Sequence, residues 1–472
     1  MRFRRQADGD TAGEQLLMGW GRTAPSRADV VRPARLEQLG AALSGSPARG
    51  VIARGMGRSY GDAAQNAGGR VVSTRAISER CDLDPDTGRA WISAGTSLGA
   101  VIEHVLPRGW FPAVVPGTQH VSIGGAIAAD VHGKNHHRDG SFCAHVRAIE
   151  LVVPGGARMT LGPEGPDAEA FWATAGGMGL TGIAIAAELQ LRPVATAQMR
   201  VRITRTRNLE HSMQVLCEAD RGAHYTVAWV DLLCGGRTRG RGIVAAGEHA
   251  GPEVRPMPIG RGEIVVPRHR RLGSVPAVPT RAGVLHPAAM RVFNELYFRA
   301  APATPVERIE SVWSYFFPLD AVGNWNRLYG RAGMLQYQFV IPDSASDRLG
   351  AMLERLVADN VPVYLAVLKR LRDAYGPLGF PIMGWTLAID IPVAVHGLGP
   401  ALDRLDSAVA DCGGRIYLAK DSRLRAELLP VMYPRLAEWR AVRDRLDPGR
   451  LMRSDLDRRL SLVGSQLVED GS

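Results

Sequence analysis

Short apolar runs alternate with turns from Trp20 to about residue 194. The runs 51–53, 71–73, 90–92 and 149–153 have the length and apolar content of strands, and Asp86-Thr87-Gly88 and Pro154-Gly155-Gly156 read as turns. Residues 97–106 predict a short helix stopped by Pro107. After Arg192-Pro193 the pattern changes. Residues 224–232 alternate as a strand does. From Gly235 to Pro287 periodicity disappears and Gly, Pro and Arg crowd together, which predicts mobile loops; Arg268, His269, Arg270 and Arg271 stand within them.

From 334 to 419 the elements recur. Residues 334–341 predict a strand. Ser344 is placed to cap a helix whose apolar positions Leu349, Met352, Leu353, Leu356 and Val357 share one face. Strands follow at 361–368 and 385–391. A helix at 401–410 turns Leu402, Leu405 and Val409 inward, and a strand closes the series at 415–419. This order of strands and helices is the ferredoxin-like pattern.

Two glycine stretches stand out against this background. The first is ARGMGRSYGD (53–62). A Rossmann reading needs a glycine turn that opens an amphipathic helix, and the following GDAAQNAGG (61–69) is loop-like instead. The second is PGTQHVSIGGAIAADVHGKNHH (116–137). Adjacent Gly124 and Gly125 let backbone approach a ligand closely. If Ala126 starts a helix, the N–H groups around them point outward unpaired and can hold a phosphate. His132, Lys134, His136 and His137 follow directly. Two glycine loops without a Rossmann helix suggest a dinucleotide held between two backbone segments. No metal site is expected, because Gly133 and Asn135 interrupt any helix that would align the histidines and no Cys or carboxylate completes a tetrahedral set. His136 and His137 read as packed or solvated side chains.

At 472 residues the chain has room for two or three domains. Its mean hydropathy of -0.07 is that of an ordinary globular protein, and no apolar run approaches the ~18–20 residues that span a bilayer. The basic start Met1-Arg2-Phe3-Arg4-Arg5 runs into Ala7-Asp8-Gly9-Asp10, so no secretory signal is expected. Five scattered cysteines without a CxxC predict reduced thiols. A net charge of +10 favours anionic partners. Nucleic acid is one such partner, but aromatic content is only 6% and no Lys/Arg-rich helix or stacking motif appears. A phosphorylated substrate and an anionic membrane surface fit the charge equally well.

ARGMGRSYGD, SAGTSLGAVI (93–102), the 116–137 stretch and GGMGLTGI (176–183) follow the order seen in the vanillyl-alcohol-oxidase type of FAD flavoprotein, and the chain resembles that class. Within it the chain is most similar to the decaprenylphosphoryl-β-D-ribose 2′-oxidase family. GWGRTAPS (19–26), FWATAGG (171–177), GNWNRLYG (323–330), LQYQFVIP (335–342) and YLAKDSR (417–423) extend the likeness over nearly the whole chain. The resemblance implies an α+β, two-domain FAD-binding fold of the vanillyl-alcohol-oxidase/PCMH type with a ferredoxin-like antiparallel-sheet substrate domain. A disordered lead-in would cover 1–18, the FAD domain 19–196 and 413–472, and the substrate domain 197–412.

The implied activity is oxidation of the 2′-hydroxyl of a polyprenyl-phospho-β-D-ribose to the 2′-ketone, the first step of epimerisation to the arabinose form for cell-wall arabinan. An NAD(P)H-dependent keto-reductase would be the partner, and the lipid tail implies peripheral membrane contact through the loops at 235–287. The expected location is cytoplasmic or peripheral to a membrane, with no nucleic acid bound. Two alternatives stay open. One is the same flavin chemistry on a soluble sugar, nucleoside or aldonolactone. The other is a basic nucleotide- or nucleic-acid-binding protein that is not an enzyme.

The resemblance also assigns residues. FAD would be held by Ala53, Arg54, Gly55, Met56, Gly57, Arg58, Ser59, Tyr60, Gly61 and Asp62, by Gly117, Ser122, Ile123, Gly124, Gly125, Ala129, His132, Gly133 and Asn135, and by Gly182, Ala184 and Tyr417. Lys420, Tyr60 and His132 would be catalytic. Trp229, Gln336, Lys369, Ala388 and Lys134 would bind substrate. Relatives often carry a histidine at the position of Arg58 that bonds covalently to the flavin, so Arg58 predicts non-covalent FAD. Ala388 stands where family members carry a cysteine captured by nitroaromatic inhibitors, Thr386 replaces an asparagine, and Phe316-Phe317 replaces a Tyr-His pair. These changes are expected to line or flank the substrate pocket.

Overall fold

A computed structural model describes residues 12–77, 80–254, 264 and 272–464. The expected loop arginines Arg268, Arg270 and Arg271 lie outside the described residues, as do the first eleven positions of the lead-in. The rest of the lead-in is ordered, because Gly13–Leu17 (β1) pairs with Ser26–Val31 (β2). These strands, with Val51–Arg54 (β3) and Arg70–Ser73 (β4), form a sheet in the order β1-β2-β4-β3. Val51, Ile52, Val71 and Val72 are fully buried, as continuous apolar runs in the parallel pair β3/β4 require.

A second, antiparallel sheet contains Cys81–Leu83 (β5), Arg89–Ser93 (β6), Trp110–Pro112 (β7), Val146–Val152 (β8), Arg158–Leu161 (β9) and Ile183–Pro193 (β10). Its order is β5-β6-β10-β8-β9, with β7 on the far end of β10. Ile92, Ile149, Leu151, Ala187 and Leu189 pack against the helix Leu98–Val105, which Ser97 caps through Ala100 N.

The third sheet has eight strands: Gln198–Thr206 (β11), Tyr225–Val230 (β12), Gly242–His249 (β13), Val306–Ser311 (β15), Met334–Pro342 (β17), Leu365–Leu371 (β18), Gly384–Pro392 (β19) and Arg415–Ile416 (β20). The short strands Gly273–Ser274 (β14) and Val322–Gly323 (β16) pair with each other elsewhere. The order is β15-β11-β13-β12-β18-β19-β17-β20. Read from the centre outward, each half runs second, third, first, fourth strand. With the helices Leu209–Gly222 and Pro287–Ala300 in one half, and Arg348–Ala358 and Leu398–Asp411 in the other, each half has the βαββαβ element order and strand order of a ferredoxin-like unit.

Only the second unit is legible in the residue pattern. The expected loop region at 235–287 contains β13, whose Ala245, Ala246 and Gly247 do not look like a strand. Their smallness has a packing cause: a Cβ on Gly247 would stand 2.6 Å from the Tyr315 ring. Ser344 does not cap the following helix. It lies in the turn Asp343–Ala345, and the helix starts later, at Arg348, with Val357 half-exposed. The strand expected at 361–368 runs from Leu365 to Leu371 instead, because Pro362 has no N–H for the ladder. The strand expected to reach 419 ends at Ile416, and a turn closed by Lys420 N to Tyr417 O carries the chain out of the sheet.

The five cysteines are free thiols. Among the described residues no helix is long and apolar enough to cross a membrane, and no group of His, Cys, Asp or Glu is arranged to hold a metal.

Candidate active site

A cavity of about 800 Å³ lies where the three sheets meet. Its walls are the loop after β3, the segment around the helix Ile123–Ala128, and one face of the second ferredoxin-like unit. Ala53, Gly55, Met56, Gly57, Arg58, Ser59, Tyr60, Gly117, Ser122, Gly124, Gly125, Ala129, His132, Gly182, Ala184 and Tyr417 line it, with Gln336, Lys369, Ala388 and Lys420. Most residues assigned from the sequence therefore share one cavity.

The two glycine stretches touch. A Cβ on Gly55 would lie 2.0 Å from Ser122 Oγ, so only glycine lets the loops close on each other. Gly57 adopts φ +62, which turns the loop back on itself. Among the described residues no group accepts from the Met56, Gly57 or Ser59 amides, and they are free to face an anion. The second stretch departs from expectation. Gly124 N donates to Ala94 O (2.8 Å) and Gly125 N to Ser122 Oγ (3.2 Å). Those amides are spent inside the fold, because Ser122 caps the helix and the preceding turn covers it. Gly124 and Gly125 offer a flat wall instead of a phosphate cradle. Arg58 places its guanidinium 4.2 Å from the centre of the Trp20 ring.

At the other end Lys420 reaches over Tyr60, 4.0 Å from its ring centre, and donates to Gln336 Oε1. Gln336 Nε2 in turn donates to Asp390 Oδ1 (2.7 Å). Burial, opposed by Asp390 and reinforced by Lys369, brings the Lys420 ammonium down to about 7. Burial likewise raises Asp390 to about 7 and lowers Lys369 to about 8. His132 accepts at Nε2 from Gln338 Nε2 (2.9 Å), while its buried Nδ1 has no partner among the described residues. Burial first, then the positive charge of Lys369, His136 and Lys420, holds its pKa well below the usual histidine range. Tyr417 donates to Ala129 O (2.8 Å) and stacks on Phe380.

Eight assigned residues do not line the cavity. Arg54 staples the chain by donating to Ala64 O and Met18 O. A Cβ on Gly61 would stand 1.9 Å from Asp421 O, so Gly61 lets the loop meet the Lys420 segment. Asp62 pairs with Arg459 (2.8 Å), which also holds Asp421 (2.8 Å). Ile123 is fully buried core. Gly133 crosses Val115 O closely, and Asn135 donates to Ala113 O (2.8 Å). Trp229 packs edge-on against Tyr297. Lys134 is drawn away by the Tyr315 carbonyl and ring, whose centre is 3.9 Å from its Nζ. His136 is a satisfied core residue, with Ser141 on one nitrogen and Arg372 N on the other. Phe316 and Phe317 do not line the pocket as expected; they are buried with Phe111, Tyr225 and Trp313. Thr386 is also buried, donating to Phe339 O, whereas Ala388 faces the cavity.

Gln338, Asp390, Leu365 and Val367 were missed. The signal was present: Gln336/Gln338, Thr386/Ala388/Asp390 and Leu365/Val367/Lys369 recur at the strand period of two, and their register puts them on one face.

Residues 28–162 match the FAD binding domain family model. The chain is an FAD-dependent oxidoreductase acting on CH–OH groups. It is 37% identical over 452 residues to the decaprenylphosphoryl-beta-D-ribose oxidase of Mycolicibacterium smegmatis, covering 95% of this chain and 97% of that protein. A Streptomyces coelicolor protein from the mprA 5′ region is 38% identical over 375 residues, 78% of this chain and all of that one. An alditol oxidase from a Streptomyces species is 25% identical over 433 residues, 89% of this chain and 92% of that enzyme. The chain belongs to the decaprenylphosphoryl-beta-D-ribose oxidase family. The site fits FAD on its own geometry: free loop amides suit a diphosphate, His132 Nδ1 is an orphan buried polar atom, and the volume is that of a cofactor site.

Proposed function

We propose that this enzyme oxidises the 2′-hydroxyl of a polyprenyl-phospho-β-D-ribose to the 2′-ketone. Bound FAD supplies the acceptor for the hydride that leaves C2′. Lys420 supplies the other half of the reaction. With its amine lowered to about 7, it takes the hydroxyl proton at Nζ as the C–H bond breaks. Gln336 holds Nζ on line, and Tyr60 closes the side of the site beneath it. Lys369, on the same sheet face, binds the phosphate as a cation. His132, kept neutral, would donate from Nδ1 toward the cofactor, and the Met56, Gly57 and Ser59 amides would hold its diphosphate. FAD is bound without a covalent link at Arg58, so acid precipitation should leave the yellow colour in the supernatant.

The observation that carries this reading is the Lys420–Gln336–Asp390 chain at the closed end of a cavity whose other end is a glycine loop with free amides. In this reading the eight-stranded sheet is the substrate domain, a separate NAD(P)H-dependent reductase acts on the ketone to give the arabinose form, and the lipid tail brings the enzyme to a membrane surface. A second reading rests on the likeness to an alditol oxidase: a soluble polyol or sugar takes the same site. Anaerobic mixing separates them. Prenyl-phospho-ribose should bleach the flavin band, and a water-soluble pentoside or alditol should not. Bleaching by the soluble compounds alone would replace the first reading with the second.

A further inference from the structure

The helix Pro287–Ala300 is amphipathic in the inverted sense. Its protein-facing side is polar: Asn294 Nδ2 donates to the buried Asp231 (2.9 Å), and Glu295 accepts from Arg241 (2.6 Å), which also pairs with Asp231. Arg205 and Arg241 cover Phe298 with their guanidinium planes. The outward side is apolar. Val292, Phe293, Leu296 and Tyr297 are 61%, 57%, 64% and 46% exposed. They are four of the thirteen exposed large hydrophobics among the described residues, gathered on two turns of one helix. Phe293 and Tyr297 lay their rings parallel to each other. A helix pinned by its polar face and showing water its apolar face is built for a second, apolar medium.

That face is continuous with the cavity. Tyr297 packs edge-on against Trp229, and Trp229 is the direct register partner of Val367, which lines the cavity. At the other end of the helix, Met290 packs with the cluster that contains Tyr60. An apolar path thus runs from the reacting end of the site to the exposed helix.

We propose that the outward face of the helix Pro287–Ala300 is a membrane-docking surface that lies in the interfacial layer of a bilayer and guides a lipid-linked substrate past Trp229 into the cavity. The proposal rests on the reading of the substrate as a prenyl phosphosugar. Arg291 belongs to the pinned side, where it donates to Leu233 O, whereas Arg299, paired with Glu295, borders the apolar face, and Tyr297 has the amphipathic ring suited to the headgroup level.

The test is flotation of the FAD-loaded full-length enzyme with phosphatidylcholine vesicles, with and without phosphatidylglycerol, beside a Phe293→Ser/Leu296→Ser variant. Both changes are on exposed positions outside the catalytic machinery. Wild type should float with vesicles, and the variant should lose at least tenfold in the bound fraction while keeping its flavin spectrum. Flavin bleaching by a short-chain, water-soluble prenyl-phospho-ribose should be equal in the two. Wild type that stays with the soluble fraction, or a variant that floats equally well, would overturn the proposal. So would sedimentation showing a dimer that the variant converts to a monomer, which would make the face a subunit interface. Failure of the short-chain substrate to bleach wild type would sink the substrate reading instead, independently of where the protein floats.

Discussion

The two ferredoxin-like halves of the eight-stranded sheet share a strand order but not a use. In the second half, Arg348–Ala358 and Leu398–Asp411 pack on the outer face; Tyr337, which points there, donates to Asp406 on the second of these helices (2.7 Å). The inner face is left open, and Gln336, Gln338, Lys369 and Asp390 stand on it. In the first half, Leu209–Gly222 keeps to the outer side, with Leu216 against Ala228, Val230 and Val244. Its partner Pro287–Ala300 crosses to the inner side, where Trp229 and Arg205 meet it. One half is therefore covered and pinned, and the other is open and reactive. The contrast teaches that topology sets where side chains can point, while the placement of a single helix decides which half can hold a substrate.

The largest effect should come from removing the base in the open half. Lys420→Ala is expected to keep FAD and to slow flavin reduction by about 10³-fold, the scale of lost general-base catalysis. A change next to it tests positioning. Gly61→Val would drive a side chain into Asp421 O, 1.9 Å from the Cβ position, and displace the Lys420 segment; about a 10²-fold loss in flavin reduction is expected, with FAD retained.

Charge neighbours should then move the pH profile in opposite directions. Asp390 holds the Lys420 ammonium up, so Asp390→Asn should lower that pKa and shift the acid limb of kcat/KM to lower pH. Lys369 pushes it down, so Lys369→Met should shift the limb to higher pH, with a raised KM if Lys369 also meets the phosphate. Shifts in the same direction would break the electrostatic account.

The smallest catalytic effect is expected in the covered half. Asp231→Ala strands Asn294 and removes one partner of Arg241, costing about 1–3 kcal/mol of stability in a denaturant titration. Flavin reduction by a soluble short-chain substrate should stay within a few-fold of wild type. A large catalytic loss there would erase the distinction between the halves.

The residue pattern makes the second half legible and hides the first for a physical reason. Strand β17 reads as Met-Leu-Gln-Tyr-Gln-Phe-Val-Ile, and its neighbours have regular apolar spacing, so length and period agree. Strand β13 is made of small residues because Tyr315 takes the space above Gly247. The inverted helix shows its polar residues to the protein, so its periodicity points the wrong way. In the site, the glycine loop at 55–59 was legible because close approach demands glycine. The free-amide role assigned to Gly124 and Gly125 was not correct: Ser122 satisfies Gly125 as an ordinary helix cap, and the Ala94 carbonyl, which no local rule reveals, satisfies Gly124. Lys420 came from resemblance alone: a lysine after a short strand is ordinarily solvated, and only its distant neighbours Gln336, Lys369 and Asp390 make this one a base. Lys134 went the other way, captured by a tyrosine far along the chain.

Single-turnover flavin reduction as a function of pH, in wild type and Lys420→Ala, tests the central claim most directly. In wild type the rate should fall as pH drops through about 7, because protonation of Lys420 removes the base. In Lys420→Ala that limb should vanish, and added methylamine should restore part of the rate. An unchanged limb in Lys420→Ala, without amine rescue, would contradict the assignment of the hydroxyl proton to this lysine.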